Sequence, residues 1–152
     1  MDDIIGAKKN IFDNTYVLFF LFIIVVITNT ISSVYFLSLM LAGVVYVAFT
    51  RCLKKHNYYP MIYLILAFLF IELNNGFKPF SLILLGSFIY VYLIPFLTRV
   101  MVIDSLNEFL QIMLLYIGIG VVWSLTNDVN FLLIKTLFFN FIIDLIIIGI
   151  AP

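Results

Sequence analysis

Phe131-Leu132-Leu133-Ile134-Lys135-Thr136-Leu137-Phe138-Phe139-Asn140-Phe141-Ile142-Ile143-Asp144-Leu145-Ile146-Ile147-Ile148-Gly149-Ile150 is a run of twenty residues in which only Lys135 and Asp144 carry charge. The hydrocarbon core of a bilayer is about 30 Å thick and takes about 20 apolar residues of helix, so this run reads as one complete crossing. Ahead of it stands a polar joint, Thr126-Asn127-Asp128-Val129-Asn130, and ahead of that another apolar run of the same kind, residues 106–125. The pattern continues toward the N-terminus.

Residues 80–97 form a span that contains Pro95, which a membrane helix tolerates near its end. It is separated from residues 58–73 by Asn74-Asn75-Gly76-Phe77-Lys78-Pro79, a strong turn signal. Arg51-Cys52-Leu53-Lys54-Lys55-His56-Asn57 is a polar loop. Before it, residues 16–50 would be roughly 50 Å long as one helix, too much for a single crossing. The polar cluster Thr28-Asn29-Thr30-Ile31-Ser32-Ser33 therefore predicts a hairpin of two short spans, residues 16–31 and 33–50. A single crossing followed by a surface segment would give five spans instead of six. Thr98-Arg99-Val100-Met101-Val102-Ile103-Asp104-Ser105 is the remaining joint.

Composition agrees with this reading across the whole chain. Of the 152 residues, 65% are hydrophobic and 11% charged, and the mean hydropathy is +1.24. A soluble domain of this size has too much surface to leave so apolar. The expected fold is an all-α integral membrane protein, one transmembrane domain of six short helices over residues 1–152. Lys8 and Lys9 precede the first apolar run without a small-residue cleavage site, which predicts an uncleaved anchor. No lipidation signal is read at either end.

With an even number of crossings both termini share one side. Placing the N-terminus in the cytoplasm puts Lys8, Lys9, Arg51, Lys54, Lys55 and Arg99 inside, leaving Lys78 and Lys135 outside. Tyr58, Tyr59 and Trp123 then fall at helix ends, where aromatic belts sit.

Eight basic against eight acidic residues leave no net charge, and hence no field for nucleic acid. Cys52 is the only cysteine, so neither an internal disulfide nor a cysteine-built metal site is expected. There is no P-loop, no G-x-S-x-G and no H-E-x-x-H, and one histidine serves the whole chain. The sequence predicts neither an enzyme nor a cofactor.

A charge at mid-membrane costs about 2.5 to 3.5 kcal/mol on insertion scales, so acids inside spans need an explanation. Asp144, Asn140 and Thr136 recur every four residues and form one polar stripe on the last helix. Such a stripe either binds neighbouring helices through hydrogen bonds worth about 0.6 kcal/mol each or serves a ligand or proton. Glu72, beside Asn74 and Asn75, reads either as a helix-ending interfacial carboxylate or as a site for a cation or a partner's basic group. His56 reads as a solvated loop residue. Tyr90, Tyr92 and Tyr116 fall in mid-span and need hydroxyl partners, with packing near Asn140 the expectation. Gly120/Ser124 and Ser38/Ala42 have the spacing that lets helices approach closely.

The order of features resembles the MreD family, the small membrane subunit of the bacterial rod-shape system. The likeness is densest over residues 44–100: Val44-Val45-Tyr46, the span end Phe70-Ile71-Glu72-Leu73, the turn Asn75-Gly76, and Pro79-Phe80-Ser81 opening the next span. Phe139-Asn140-Phe141 stands where that family tends to place an asparagine in its last helix. Glu72 replaces the usual glycine-preceded aspartate and Ser81 the usual glycine, which marks a divergent member. The resemblance implies a non-catalytic scaffold in the bacterial inner membrane that binds an MreC-like single-span protein and joins other members of the elongation complex. Homo-oligomerisation is left open. The MreD fold is also similar to the substrate-binding subunits of vitamin-type uptake transporters, the alternative function. For that alternative Glu72, Asn74, Asn75, Asn127 and Asp128 are the outward-facing candidates for a pocket.

Overall fold

The computed structural model describes residues 11–35, 40–101 and 108–150, with residues 33–35 and 101 described by backbone alone. The N-terminal lysines Lys8 and Lys9, Ser38 and Asp104 lie outside the described residues. Among those described the protein is all-helical. A short 3-10 turn, Ile11–Asp13, leads to α1 (Thr15–Tyr35), α2 (Ala42–Lys54) and α3 (Tyr58–Asn75). These are followed by α4 (Ser81–Phe88), α5 (Ile94–Met101), α6 (Glu108–Thr126) and α7 (Phe131–Ile150).

α4 and α5 are joined without a break by one π-helical stretch, Ile89–Leu93, in which the Ile94 N–H reaches back to the Ile89 carbonyl. Pro95 follows directly. A proline has no N–H to donate and its ring crowds the carbonyl four residues earlier, so a widened turn before it relieves the crowding while the rod continues. α1, α3, the α4–α5 rod, α6 and α7 are each long and apolar enough to cross a membrane.

The first hairpin differs from the sequence expectation. The polar cluster at residues 28–33 does not turn the chain but continues α1, 21 residues long, to Tyr35. The physical reason is local. The Asn29 side-chain amide donates to the Val25 carbonyl at 2.9 Å and the Thr30 hydroxyl to the Val26 carbonyl at 2.7 Å, so both groups are satisfied inside the helix. The second element is correspondingly late and short, starting at Ala42 rather than 33. At 13 residues α2 spans about 20 Å, less than a full crossing.

α2 is nevertheless the centre of the molecule. Every residue from Ala42 to Thr50 is buried, and the helix packs against α3, α6 and α7. Tyr46 is wholly enclosed, and Phe49 meets Phe68 of α3 edge-on at 5.9 Å. The outer helices show the opposite pattern. Phe20, Ile24, Ile27 and Ile31 form an exposed apolar face on α1, and Met113, Ile117, Val121 and Leu125 form one on α6. Exposed apolar stripes around a buried centre are what a lipid solvent demands.

Side-chain pairings fix the helix directions. α1 lies parallel to α3, with Phe19 against Tyr63 at 5.4 Å and Asn29 beside Asn74. α4 runs antiparallel to α6, with Phe77 against Trp123 at 5.1 Å and Leu85 over Gly118. Residues 15 and 150 consequently lie at the same end of the bundle. That end carries Arg51, Lys54, Lys55 and Arg99. It is tied by Arg51 to Glu108 at 2.5 Å and by Lys55 to Asp13, with the Arg51 guanidinium over the Phe12 ring.

Candidate functional site

Two helices begin without capping side chains of their own, α2 part-way along α7 at the level of Asn140 and Asp144, and α4 at the end opposite the basic residues. α2 starts after Leu41 and α4 after Phe80, both left-handed (φ 55° and 68°) and neither able to accept a hydrogen bond from the first turn. The first N–H groups of a helix lack partners inside it, and an apolar surrounding offers none. Both are capped by a neighbouring helix.

For α2 the cap is the stripe on α7. Asn140 Oδ1 accepts the Met40 N–H at 2.8 Å, and Asp144 Oδ2 accepts the Gly43 N–H at 2.8 Å. Asp144, fully buried, also accepts the Tyr116 hydroxyl of α6. Asn140 Nδ2 donates back to the Thr136 carbonyl at 2.9 Å, so this stripe is held on its own helix as well. A carboxylate at a helix N-terminus is also favoured by the helix dipole. Tyr116 thus finds its partner at Asp144, one turn beyond the expected Asn140.

Gly43 makes the approach possible. A Cβ there would stand 2.7 Å from Asp144 Oδ2 and 2.9 Å from Ile112 Cγ2. Gly43→Ala is expected to destabilise the protein by about 1–3 kcal/mol, the usual range for overpacking. Thermal melting in detergent measures this, and an unchanged midpoint would mean that α2 can move off α7 without loss.

For α4 the cap is Glu72. Its Oε2 accepts the Phe80 N–H and its Oε1 the Leu82 N–H, both at 2.6 Å. The Glu72 carbonyl accepts the Phe77 N–H at 2.9 Å, and the turn passes through Gly76 at φ 77°, where a side chain would strain the backbone. Read from the sequence as a shallow interfacial carboxylate, Glu72 is in fact wholly buried.

The residue missed by the sequence reading is Asn29, which was assigned to a turn. It is buried in α1 and bridges three segments. Its Nδ2 donates to the Met40 carbonyl at 3.2 Å, its carbonyl accepts Asn74 Nδ2 at 2.8 Å, and its Oδ1 accepts Asn75 Nδ2 at 3.3 Å. An asparagine inside an otherwise apolar run was the available signal.

Above this network opens a pocket of about 370 Å³ between the ends of α1, α3 and α6 and the start of α7. Buried Ser32 and half-buried Asn75 and Thr136 supply its polar lining, together with exposed Asn74, Asp128 and Asn130. Met40, Trp123, Leu132 and Leu133 supply its apolar wall. Of the residues expected to face such a pocket, Asn74, Asn75 and Asp128 do so. Glu72 is turned into its own clamp, and Asn127 lies in a shallow depression outside. Asn140 and Asp144 sit with α2 and do not line the pocket.

His56 stands exposed at the other end, with Nδ1 at 3.1 Å from the Tyr58 hydroxyl. Tyr92 is exposed on the α4–α5 rod. Among the described residues no three His, Cys, Asp or Glu side chains are grouped to hold a metal ion. In comparison with known proteins, the chain matches no family model, no curated protein and no solved structure.

Proposed function

We propose that the chain is a non-catalytic interaction subunit of the bacterial inner membrane, a divergent MreD-like component of the cell-shape machinery that binds an MreC-like single-span partner. One observation carries this reading. Both oxygens of Glu72, the Oδ2 of Asp144 and the amide oxygen of Asn140 accept backbone N–H groups of their own chain. Groups held in that way brace a scaffold and are poorly placed for proton transfer to a substrate. The exposed apolar faces of α1 and α6 offer surface against which a partner's single helix can pack. With Arg51, Lys54, Lys55 and Arg99 at the cytoplasmic end, the pocket end faces outward, toward the extracytoplasmic domain of such a partner.

The pocket favours a second reading, the substrate-binding subunit of a small-molecule uptake transporter. Affinity purification of the tagged chain from its own membranes separates the two. A single-span protein with a large extracytoplasmic domain is the expected co-purifying species, and depletion of the chain is expected to turn rods into spheres. Recovery of an ATPase pair in its place, with cell shape unaltered, overturns the scaffold reading.

A further inference from the structure

The pocket has a charge and a shape that select among ligands whichever assembly the chain joins. Its volume of about 370 Å³ lies within the range of about 300–1,000 Å³ typical of small-molecule sites. Asp128 is the one ionisable side chain among its described lining residues, and it forms no ion pair among the described residues. Among the described lining residues no basic group stands to receive an anion. The same lining holds the amides of Asn74, Asn75 and Asn130 and the hydroxyls of Ser32 and Thr136, all of which carry acceptor oxygens. Met40, Trp123, Leu132 and Leu133 add an apolar lining, with the Trp123 indole held edge-on by Phe77. An indole attracts a cation to its face.

We propose that this pocket is a binding site for a small monocationic amine, its ammonium group paired with Asp128 and its apolar part packed between Trp123, Leu133 and Met40. The Asp128 side chain is exposed at the pocket mouth, so the pair forms without burying a charge in lipid. Binding requires only the pocket and no partner protein.

Trp123 is the only tryptophan of the chain, so its fluorescence reports on this site alone. The full chain in detergent is titrated with three probes of matched ring and reach but different charge: phenethylamine, 2-phenylethanol and phenylacetate. Phenethylamine is expected to give a saturable change in Trp123 emission, 2-phenylethanol a weaker one and phenylacetate none. An ion pair open to solvent contributes modestly, so Asp128→Asn should weaken phenethylamine by about threefold to fivefold. Because Asp128 is exposed and caps no helix, its loss leaves the bundle intact, which an unchanged melting temperature verifies. Silence toward all three probes, an equal and unsaturable response to all three, tighter binding of phenylacetate, or an Asp128→Asn variant that binds phenethylamine as well as the parent each overturns the proposal. None of these outcomes bears on which proteins co-purify with the chain.

Discussion

Asp144→Ala is expected to unfold the centre of the bundle, lowering stability by about 3–5 kcal/mol, the cost of breaking one side of a buried charged hydrogen-bond cluster. Two donors lose their acceptor at once, the Gly43 N–H at the start of α2 and the Tyr116 hydroxyl of α6. Neither can turn to water, because Asp144 is fully buried and α2 is enclosed from Ala42 to Thr50. Asp144→Asn keeps an acceptor oxygen at nearly the same place and is expected to retain most of the stability. The comparison of the three proteins by thermal melting in detergent, with tryptic cleavage after Arg51 or Lys54 as a second readout of α2 release, decides the role of the carboxylate. If Asp144→Ala melts with the parent, the cap is dispensable. If Asp144→Asn is as damaged as the alanine variant, the charge rather than the acceptor is what α2 needs.

Tyr116→Phe tests the same cluster from its other side and separates architecture from chemistry. It removes one donor while leaving the Gly43 bond in place, so the structural account expects a loss smaller than that of Asp144→Ala. The stripe of Thr136, Asn140 and Asp144 was legible in the sequence because a four-residue period on an apolar helix must face something polar. What it faces was not legible. The partners are backbone N–H groups about a hundred residues earlier, and a backbone donor leaves no mark in a sequence. The same limit explains α2. Its residues, from Ala42 through Phe49, are as apolar as those of a lipid-facing span, and hydropathy does not distinguish burial in protein from burial in lipid.

The break at residues 28–33 misled for a related reason. Asn, Thr and Ser compete with backbone hydrogen bonds in water and so signal turns there, whereas in a membrane helix they donate to carbonyls one turn back and the helix continues. The turn after α3 was legible because Gly76 readily takes a positive φ and Pro79 restricts the residue before it, both independently of solvent. The pocket was legible in part. Asn74, Asn75 and Asp128 were recognisable as outward-facing polar groups, but Ser32 and Thr136 join them only through the position of α1 beside α3 and of α7 beside α6.

Glu72→Ala is expected to be as severe as the loss of Asp144, about 3–5 kcal/mol, and to act at a different place. Each carboxylate oxygen receives one N–H at 2.6 Å, from Phe80 and from Leu82, so the side chain closes the α3–α4 turn while capping α4. Phe80 is held at φ 68°, a conformation costing roughly 1–2 kcal/mol for a residue with a side chain, and the clamp is what holds it. Once the carboxylate is gone, that strain drives the turn open and the α4–α5 rod loses its fixed register against α6. Glu72→Gln retains one acceptor oxygen and should recover about half of the loss, while Glu72→Asp, shorter by one methylene, should fall between glutamine and alanine because it cannot reach both donors. Hydrogen exchange at the Phe80 and Leu82 amides reads the clamp directly. In Glu72→Ala both should exchange far faster than in the parent, with the Gly43 amide still protected by Asp144. If the Gly43 amide exchanges as fast as the other two, the two caps belong to a single cooperative unit, and if the Phe80 and Leu82 amides stay protected, Glu72 is not what closes the turn.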